Sequence, residues 1–246
     1  MEPNQLQLPS SYRDNDGFVF KHAGEVYRYI HPGYFEHYNH LMDSGLYKEL
    51  SSKGWLVAHT ETGQDSSQLF PHLPQGKIIR PTQIPFISYP YEWSFAMWQD
   101  AALLTLKVTK KALEKEMLLK DATPFNIQFI KGRPVFIDTL SFEKYKEGEP
   151  WVAYRQFCES FLSILLLMHY NHPDTNKLFT VYPNGVPLDL LATLLPFKAR
   201  LSFNNTMHIF LQAKIKGGGD NKNAATQKKL PKQKLILLLD NLIGHI

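Results

Sequence analysis

The chain has 246 residues, 43% of them apolar and 20% charged, which is the balance of an ordinary globular protein able to bury a sizeable core. A single cysteine excludes an internal disulfide framework. The longest apolar run, residues 161–168, is too short to span a bilayer, and no basic segment followed by an apolar core opens the sequence. We therefore expect a cytoplasmic protein without a membrane partner.

The positive charge is concentrated near the end of the chain. The formal net charge is +4, but residues 214–234, KIKGGGDNKNAATQKKLPKQK, contain seven lysines and one aspartate, so the remainder is slightly acidic. This segment is rich in Gly, Asn and Lys and has no apolar periodicity, which is typical of a flexible loop. We expect no nucleic-acid partner; contact with an acidic partner is the alternative use of this loop.

The first third of the sequence predicts a small β-rich region. After a loose, polar N-terminus at residues 1–15, the predicted elements are a hairpin of strands 17–20 and 25–30, a helix over 34–52, short strands over 55–59 and 77–80, and an extended segment over 81–91. Gly24 supplies the positive φ that the hairpin turn requires.

The rest of the chain is predominantly helical. Ser94 is a typical N-cap for a long helix that the apolar spacing extends to residue 117. The later predicted elements are a hairpin of strands 127–130 and 135–137 around a turn at 131–134, and helices over 151–170, 188–195 and 230–243. Cys158 lies in the apolar pattern of the helix over 151–170, which favours a small core residue over a nucleophile.

Residues 118–142, LLKDATPFNIQFIKGRPVFIDTLSF, combine this second hairpin with polar residues suited to metal and phosphate chemistry. Asn126 precedes the first strand and Asp138 follows the second, so the hairpin holds both at one end. Amide and carboxylate oxygens are hard ligands that suit Mg²⁺. Asp121, on the preceding loop, is placed to accept a proton from an attacking hydroxyl beside a metal-bound phosphate. The alternative is that Asp121 caps a turn and Asp138 simply ends a strand.

In order and spacing, Asp121, Pro124, Asn126 and Asp138 resemble the catalytic loop and metal-binding segment of the protein kinase and aminoglycoside phosphotransferase superfamily. The resemblance implies that Asp121 is the catalytic base and that Asn126 and Asp138 are the metal ligands. It also implies that ATP and Mg²⁺ are the cofactors, with a nucleotide and an unidentified acceptor as partners.

The order of the predicted elements is similar to that of the same superfamily. The resemblance implies an α+β, two-lobed, protein-kinase-like fold with a small antiparallel-sheet lobe at 16–88, a connector at 89–93 and a helical large lobe at 94–246. The sequence departs from the family at Leu119-Lys120, where His-Arg or His-Gly is usual, and at Thr139-Leu140, where protein kinases have Phe-Gly.

The nucleotide-binding residues of the small lobe differ from those of kinases. Arg28 stands in place of the strand lysine, and the resemblance implies that it is the phosphate cation, paired with Glu36 or Glu49 of the following helix. The alternative is that Arg28 makes an ordinary surface ion pair. In the connector, Tyr89 and Glu92 are expected to meet the nucleobase, with core packing as the alternative for the aromatic ring.

Three long runs carry a second resemblance: RPTQIPFISYPYEWSFAMWQDAALLTL, LKDATPFNIQFIKGRPVFIDTLSFE and PWVAYRQFCESFL. They are similar to the N-terminal region of a bacterial family usually labelled SAM-dependent methyltransferase or nodulation-related protein. The glycine cluster at 217–219 lacks the strand–turn–helix context of a SAM site, so SAM is not supported as a cofactor. Two functions stay open. One is an atypical phosphotransferase. The other is a non-catalytic pseudokinase module that accompanies a methyltransferase domain or protein absent from this chain.

Overall fold

The computed structural model describes residues 15–216 and 231–246, which form two compact units. One unit takes the chain up to Phe86 together with Ile137–Phe142, and the other takes Ile87–Phe136 together with Glu143–Ile246. A four-stranded antiparallel sheet with a few helices forms the first unit, and helices dominate the second, so the predicted α+β class is confirmed.

Within the described ranges, the strands are β1 (Gly17–His22), β2 (Glu25–Ile30), β3 (His59–Glu61), β4 (Lys77–Pro81), β5 (Met117–Leu119), β6 (Ile127–Ile130), β7 (Arg133–Phe136) and β8 (Phe142–Lys144). The helices in the same ranges are α1 (Phe35–Asp43), α2 (Leu46–Ser52), α3 (Ser66–Leu69), α4 (Phe95–Glu114), α5 (Tyr154–Phe157), α6 (Ser163–Tyr170), α7 (Leu178–Val181), α8 (Leu188–Leu194), α9 (Phe203–Asn205), α10 (Leu211–Lys216) and α11 (Lys232–His245). None of these helices combines the length and apolarity needed to cross a membrane.

The sheet of the first unit has the strand order β1-β2-β4-β3. The predicted hairpin is present, and both of its turn residues, Ala23 and Gly24, have positive φ (49° and 83°), as a two-residue hairpin turn requires. Because strand side chains alternate between faces, the sheet has two apolar faces. The buried clusters are Phe18, Phe20, Tyr29, Phe70 and Ile78 on one face and Ile30, Tyr34, Tyr38, Ile79 and Leu140 on the other.

Two predictions in the first unit are wrong in detail. The helix expected over 34–52 is interrupted at Ser44 and Gly45, and Gly45 has a φ of 76°, which ends α1 and starts α2. The strand expected over 55–59 begins only at His59, because the N–H groups of Trp55 and Leu56 both donate to the carbonyl of Leu50 and close the end of α2.

The long helix and the second hairpin are present in the second unit, but the hairpin turn is Lys131-Gly132 rather than residues 131–134, and β7 starts at Arg133. The Ser94 hydroxyl accepts a hydrogen bond from the Met97 N–H and caps α4. The helix ends at Glu114 rather than at residue 117, because Glu116 has a φ of 57° and turns the chain into β5. Lys131 and Gly132, with φ of 51° and 76°, form the two-residue turn between β6 and β7.

The remaining helices differ from expectation at their ends. The helix predicted over 151–170 starts at Tyr154 and contains a π-helical turn, Cys158–Leu162, between α5 and α6. The helices over 188–195 and 230–243 are confirmed as α8 and α11. Both ends of the loop predicted over 214–234 are helical instead, because α10 runs to Lys216 and α11 starts at Lys232. Residues 1–14 and 217–230, which carry the other loop predictions and the glycine cluster, lie outside the described residues.

Candidate functional site

The most informative polar contact of the first unit joins Arg28 to Asp138. The guanidinium of Arg28 donates to a carboxylate oxygen of Asp138, although the two residues are 110 positions apart in the sequence. Each side chain is only 15% exposed, so the ion pair is largely removed from water. The structure thus brings together the predicted phosphate cation and a predicted metal ligand.

Strand geometry explains the position of Arg28. It precedes Ile30 by two residues on β2, so both side chains lie on the same face of the sheet. Ile30 packs with Tyr34 and Leu140 on that face. Asp138 is two residues before Leu140 in the segment that returns to the first unit, and the burial of Leu140 places the carboxylate beside the strand.

Asp138 is held by three donors. Besides Arg28, the Ser141 hydroxyl and the N–H of Leu140 donate to its carboxylate, the latter at 3.2 Å, and the carboxylate thereby caps the short 3-10 turn Thr139–Ser141. Burial by itself raises the pKa of Asp138, but the charge of Arg28 and these hydrogen bonds outweigh burial and hold the pKa below its usual value. Asp138 is therefore an anion at neutral pH.

Tyr34 lies next to this ion pair. Its side chain is fully buried, and its hydroxyl donates to the backbone carbonyl of Phe142. Burial, together with the nearby carboxylates of Asp138 and Asp16, raises the pKa of Tyr34 well above its ordinary value. The phenol therefore stays protonated and anchors the segment that carries Asp138.

The predicted glutamate partners of Arg28 lie elsewhere in the same unit. Glu49, on α2, accepts a hydrogen bond from Lys53 at 2.7 Å, which is an i,i+4 pair on a helix surface. Glu36 is exposed in the first turn of α1. The carboxylate that the structure shows hydrogen-bonded to Arg28 comes from the Asp138 segment.

Asp121 belongs to the second unit, where Gln156 clamps its loop. The Gln156 amide donates to the Asp121 carboxylate at 2.6 Å and accepts from the N–H of Ala122 at 2.7 Å. Gln156 lies on α5. The oxygen and the nitrogen of one carboxamide therefore both hold the loop that carries Asp121, the predicted catalytic base.

Asn126 also belongs to the second unit and ends the 3-10 turn Pro124–Asn126, immediately before β6. Its N–H donates to the carbonyl of Thr123 at 3.1 Å, and this bond closes the turn. Its side chain is half-buried. Among the residues that the structure describes, no group of three or more His, Cys, Asp or Glu side chains is arranged to hold a metal ion.

Tyr89 and Glu92 are neighbours in the connector and bind each other. The Tyr89 N–H donates to the Glu92 carboxylate at 2.7 Å, and the Glu92 N–H donates to the Tyr89 carbonyl at 2.9 Å. The backbone groups expected to meet a nucleobase are thus engaged internally. Tyr89 is 47% exposed, and its ring stacks on the Tyr91 ring with centroids 5.4 Å apart.

Two buried amides that sequence reasoning missed fix the path of the connector. Gln128, on β6, accepts from the Ser88 N–H at 2.9 Å and donates to the Ser88 carbonyl at 3.1 Å. Asn176 donates to the carbonyls of Tyr91 and Trp93 at 3.1 and 3.0 Å. A polar residue inside the apolar strand was a usable signal for Gln128, whereas nothing in the local pattern marks Asn176 or Gln156.

Comparison with known proteins gives one informative similarity. No protein-family profile matches the sequence. The chain is similar to the nodulation protein NoeA of Rhizobium meliloti (strain 1021), with 31% identity over 262 aligned positions that cover 99% of this chain and 52% of NoeA. The chain therefore spans about half the length of this relative. The similarity agrees with the predicted relation to bacterial nodulation-related proteins.

Proposed function

We propose that the chain is a kinase-like domain that binds ATP and Mg²⁺ and acts as an atypical phosphotransferase. The observation that carries the proposal is the ion pair between Arg28 and Asp138. The kinase resemblance assigns the first residue to phosphate and the second to metal, and the sequence separates them by 110 positions. Arg28 of β2 and Asp138 of the Ile137–Phe142 segment nevertheless meet within the first unit.

Each member of this ion pair can exchange its partner for an oppositely charged part of a metal–nucleotide complex. A phosphate can replace Asp138 as the partner of Arg28, and Mg²⁺ can replace Arg28 as the partner of Asp138, so each group keeps an opposite charge. Arginine binds phosphate through two parallel hydrogen bonds, and Mg²⁺ is commonly held by one or two carboxylates together with waters and phosphate oxygens. Asp138, with its lowered pKa, is in the ionised form that a metal ligand requires.

In this proposal Asp121 accepts the proton of the acceptor hydroxyl. The hydrogen bond from Gln156 fixes the orientation of its carboxylate, and orientation is a large part of what an enzyme contributes to phosphoryl transfer. Bound Mg²⁺ would supply charge neutralisation at the phosphates. The kinase resemblance assigns Asn126, which lies immediately before β6, to a metal-ligand role.

One observation favours the second candidate, a non-catalytic module that accompanies a methyltransferase domain. Arg28, Ser141 and the Leu140 N–H already satisfy the Asp138 carboxylate, so the ion pair is also a complete structural contact. The match covers 52% of NoeA, which agrees with a module that works beside a further domain. In that case Asp121 orients a loop and transfers no proton.

Nucleotide binding is tested by calorimetry and thermal shift with ATP and MgCl₂ on the full chain. A ligand at 100 times its dissociation constant stabilises the folded state by about 2.7 kcal/mol. We expect Asp138→Asn and Arg28→Lys to weaken ATP–Mg²⁺ binding at least tenfold. The matched control is Arg80→Gln, which removes an exposed arginine–glutamate pair of the same sheet and should leave binding unchanged. Absence of stabilisation by ATP–Mg²⁺ would refute the proposal.

Turnover separates the two candidates once binding is seen. Release of labelled phosphate from γ-labelled ATP measures transfer to water in the absence of a known acceptor. Loss of this activity in Asp121→Asn with unchanged ATP affinity supports the phosphotransferase. Binding without release in the wild-type chain, over a range of MgCl₂ concentrations, supports the non-catalytic module instead.

A further inference from the structure

The second unit exposes an apolar surface between residues 194 and 211. Three of its side chains are about three-quarters exposed: Phe197 (75%), Leu201 (75%) and Phe203 (74%). The whole set, here called the apolar stripe, is Leu194, Phe197, Leu201, Phe203, Met207 and Leu211. Exposed large apolar side chains grouped within one short stretch of a globular domain favour an interaction site.

Three stripe residues form a second, outward apolar face of one helical segment. Phe203, Met207 and Leu211 are four residues apart, so they line one side of the helical segment formed by α9, the π-helical turn Thr206–Phe210 and α10. The inward side of the same segment is occupied by buried residues, among them Asn205 and Ile209. Phe197, Leu201 and Phe203 therefore leave most of their apolar surface outside the core that the described residues form.

A groove accompanies the stripe. It has a volume of about 380 Å³, and its lining residues are Asp189, Ala192, Arg200, Thr206, Phe210 and Ala213. The floor carries small side chains on α8 and α10, which leaves room for an inserted side chain. Arg200 lies over the Phe210 ring at 5.1 Å and donates to the Ala192 carbonyl at 3.4 Å, so one wall is positively charged, and Asp189 supplies a negative charge.

We propose that the apolar stripe and this groove form a two-fold interface with a second copy of the chain. A two-fold interface must be self-complementary, because the same patch lies on both sides. Here one patch carries protruding rings, a groove that can receive them, and the opposite charges of Asp189 and Arg200, which can pair across the axis. The exposed parts of the six stripe side chains amount to roughly 600 Å² per copy, close to the ~800 Å² per partner of a standard interface.

Sedimentation velocity on the full chain, from about 1 to 100 μM, tests the proposal. We expect a concentration-dependent dimer. The double variant Leu201→Glu with Phe203→Glu should sediment as a monomer and keep the wild-type circular dichroism spectrum. The matched control is Leu237→Glu, which charges an equally exposed leucine on α11 and should leave the dimer intact. A wild-type chain that stays monomeric, or a double variant that still dimerises, overturns the proposal.

Charge reversal tests the two-fold arrangement separately. Asp189→Arg and Arg200→Asp should each raise the dimer dissociation constant at least tenfold, and the two changes together should restore it to within threefold of wild type. The pairing of these residues across a two-fold axis is overturned if the combined variant does not regain the wild-type dimer dissociation constant while each single variant keeps its native circular dichroism spectrum. Binding of a different protein to a monomeric chain would likewise replace this proposal.

Discussion

Replacing Arg28 by methionine should destabilise the first unit more than any other single change to its charged residues. Methionine keeps much of the apolar stem but removes the cation beside Asp138. The hydrogen bonds from Ser141 and Leu140 remain, yet the carboxylate loses the cation of its ion pair while its side chain is 15% exposed. Breaking one partner of a buried pair costs about 3–5 kcal/mol, and the residual exposure lowers our expectation to about 2–3 kcal/mol.

Reversible urea unfolding at pH 7.5, followed by tryptophan fluorescence and circular dichroism, measures this loss. The pair Arg28→Met and Asp138→Asn completes a double-mutant cycle, and the double variant should recover most of the loss because no buried charge remains. Arg80→Met, which breaks an exposed pair on the same sheet, is the control and should leave the unfolding midpoint unchanged. A loss of less than about 0.5 kcal/mol in Arg28→Met would show that the ion pair is solvated, and the burial argument would be refuted.

Three further predictions concern single residues outside the proposed site. His59 is buried, and burial lowers its pKa to about 4. Because the imidazole of the unfolded chain takes up a proton at a higher pH than the folded one, the free energy of unfolding should fall by up to about 3 kcal/mol as the pH drops from about 6.5 to 4. In urea unfolding, His59→Asn should reduce this dependence on pH. Gly185 has a φ of 109°, and an added Cβ would lie 2.7 Å from the backbone of Glu159, so Gly185→Ala should lower stability by roughly 2 kcal/mol. Burial raises the pKa of Cys158 to about 12, so its thiol should react with a disulfide reagent only after unfolding; rapid labelling of the native chain would contradict its core position.

Local patterns were sufficient for the elements that short-range physics determines. Apolar, β-branched runs joined by Gly-containing turn segments identified both hairpins, and the structure narrows each turn to two residues with positive φ. Ser94 marked the start of α4 because its hydroxyl satisfies an otherwise unpaired N–H. These features depend on neighbours a few residues away, which the sequence states directly.

Helix interruptions were harder to predict because the competing contacts are weak. Gly45 ends α1 through its left-handed conformation, yet a glycine inside an apolar helical pattern is compatible with a continuous helix. The π-helical turn Cys158–Leu162 lies in an apolar helical pattern that does not distinguish it from an ordinary helix. Packing, rather than local preference, decides such cases.

By itself, the sequence identified the candidates for this chemistry: Arg28 as phosphate cation, Asn126 and Asp138 as metal ligands and Asp121 as base. Tertiary structure alone decided that Asp138 lies beside Arg28. It also decided that Gln156 orients Asp121. The physical reason is that residue type fixes the charge and the hydrogen-bonding capacity of a side chain. The partner of that side chain depends on which distant segment of the chain packs its apolar residues next to it. Leu140 is that residue for Asp138, and its burial against the sheet makes the ion pair.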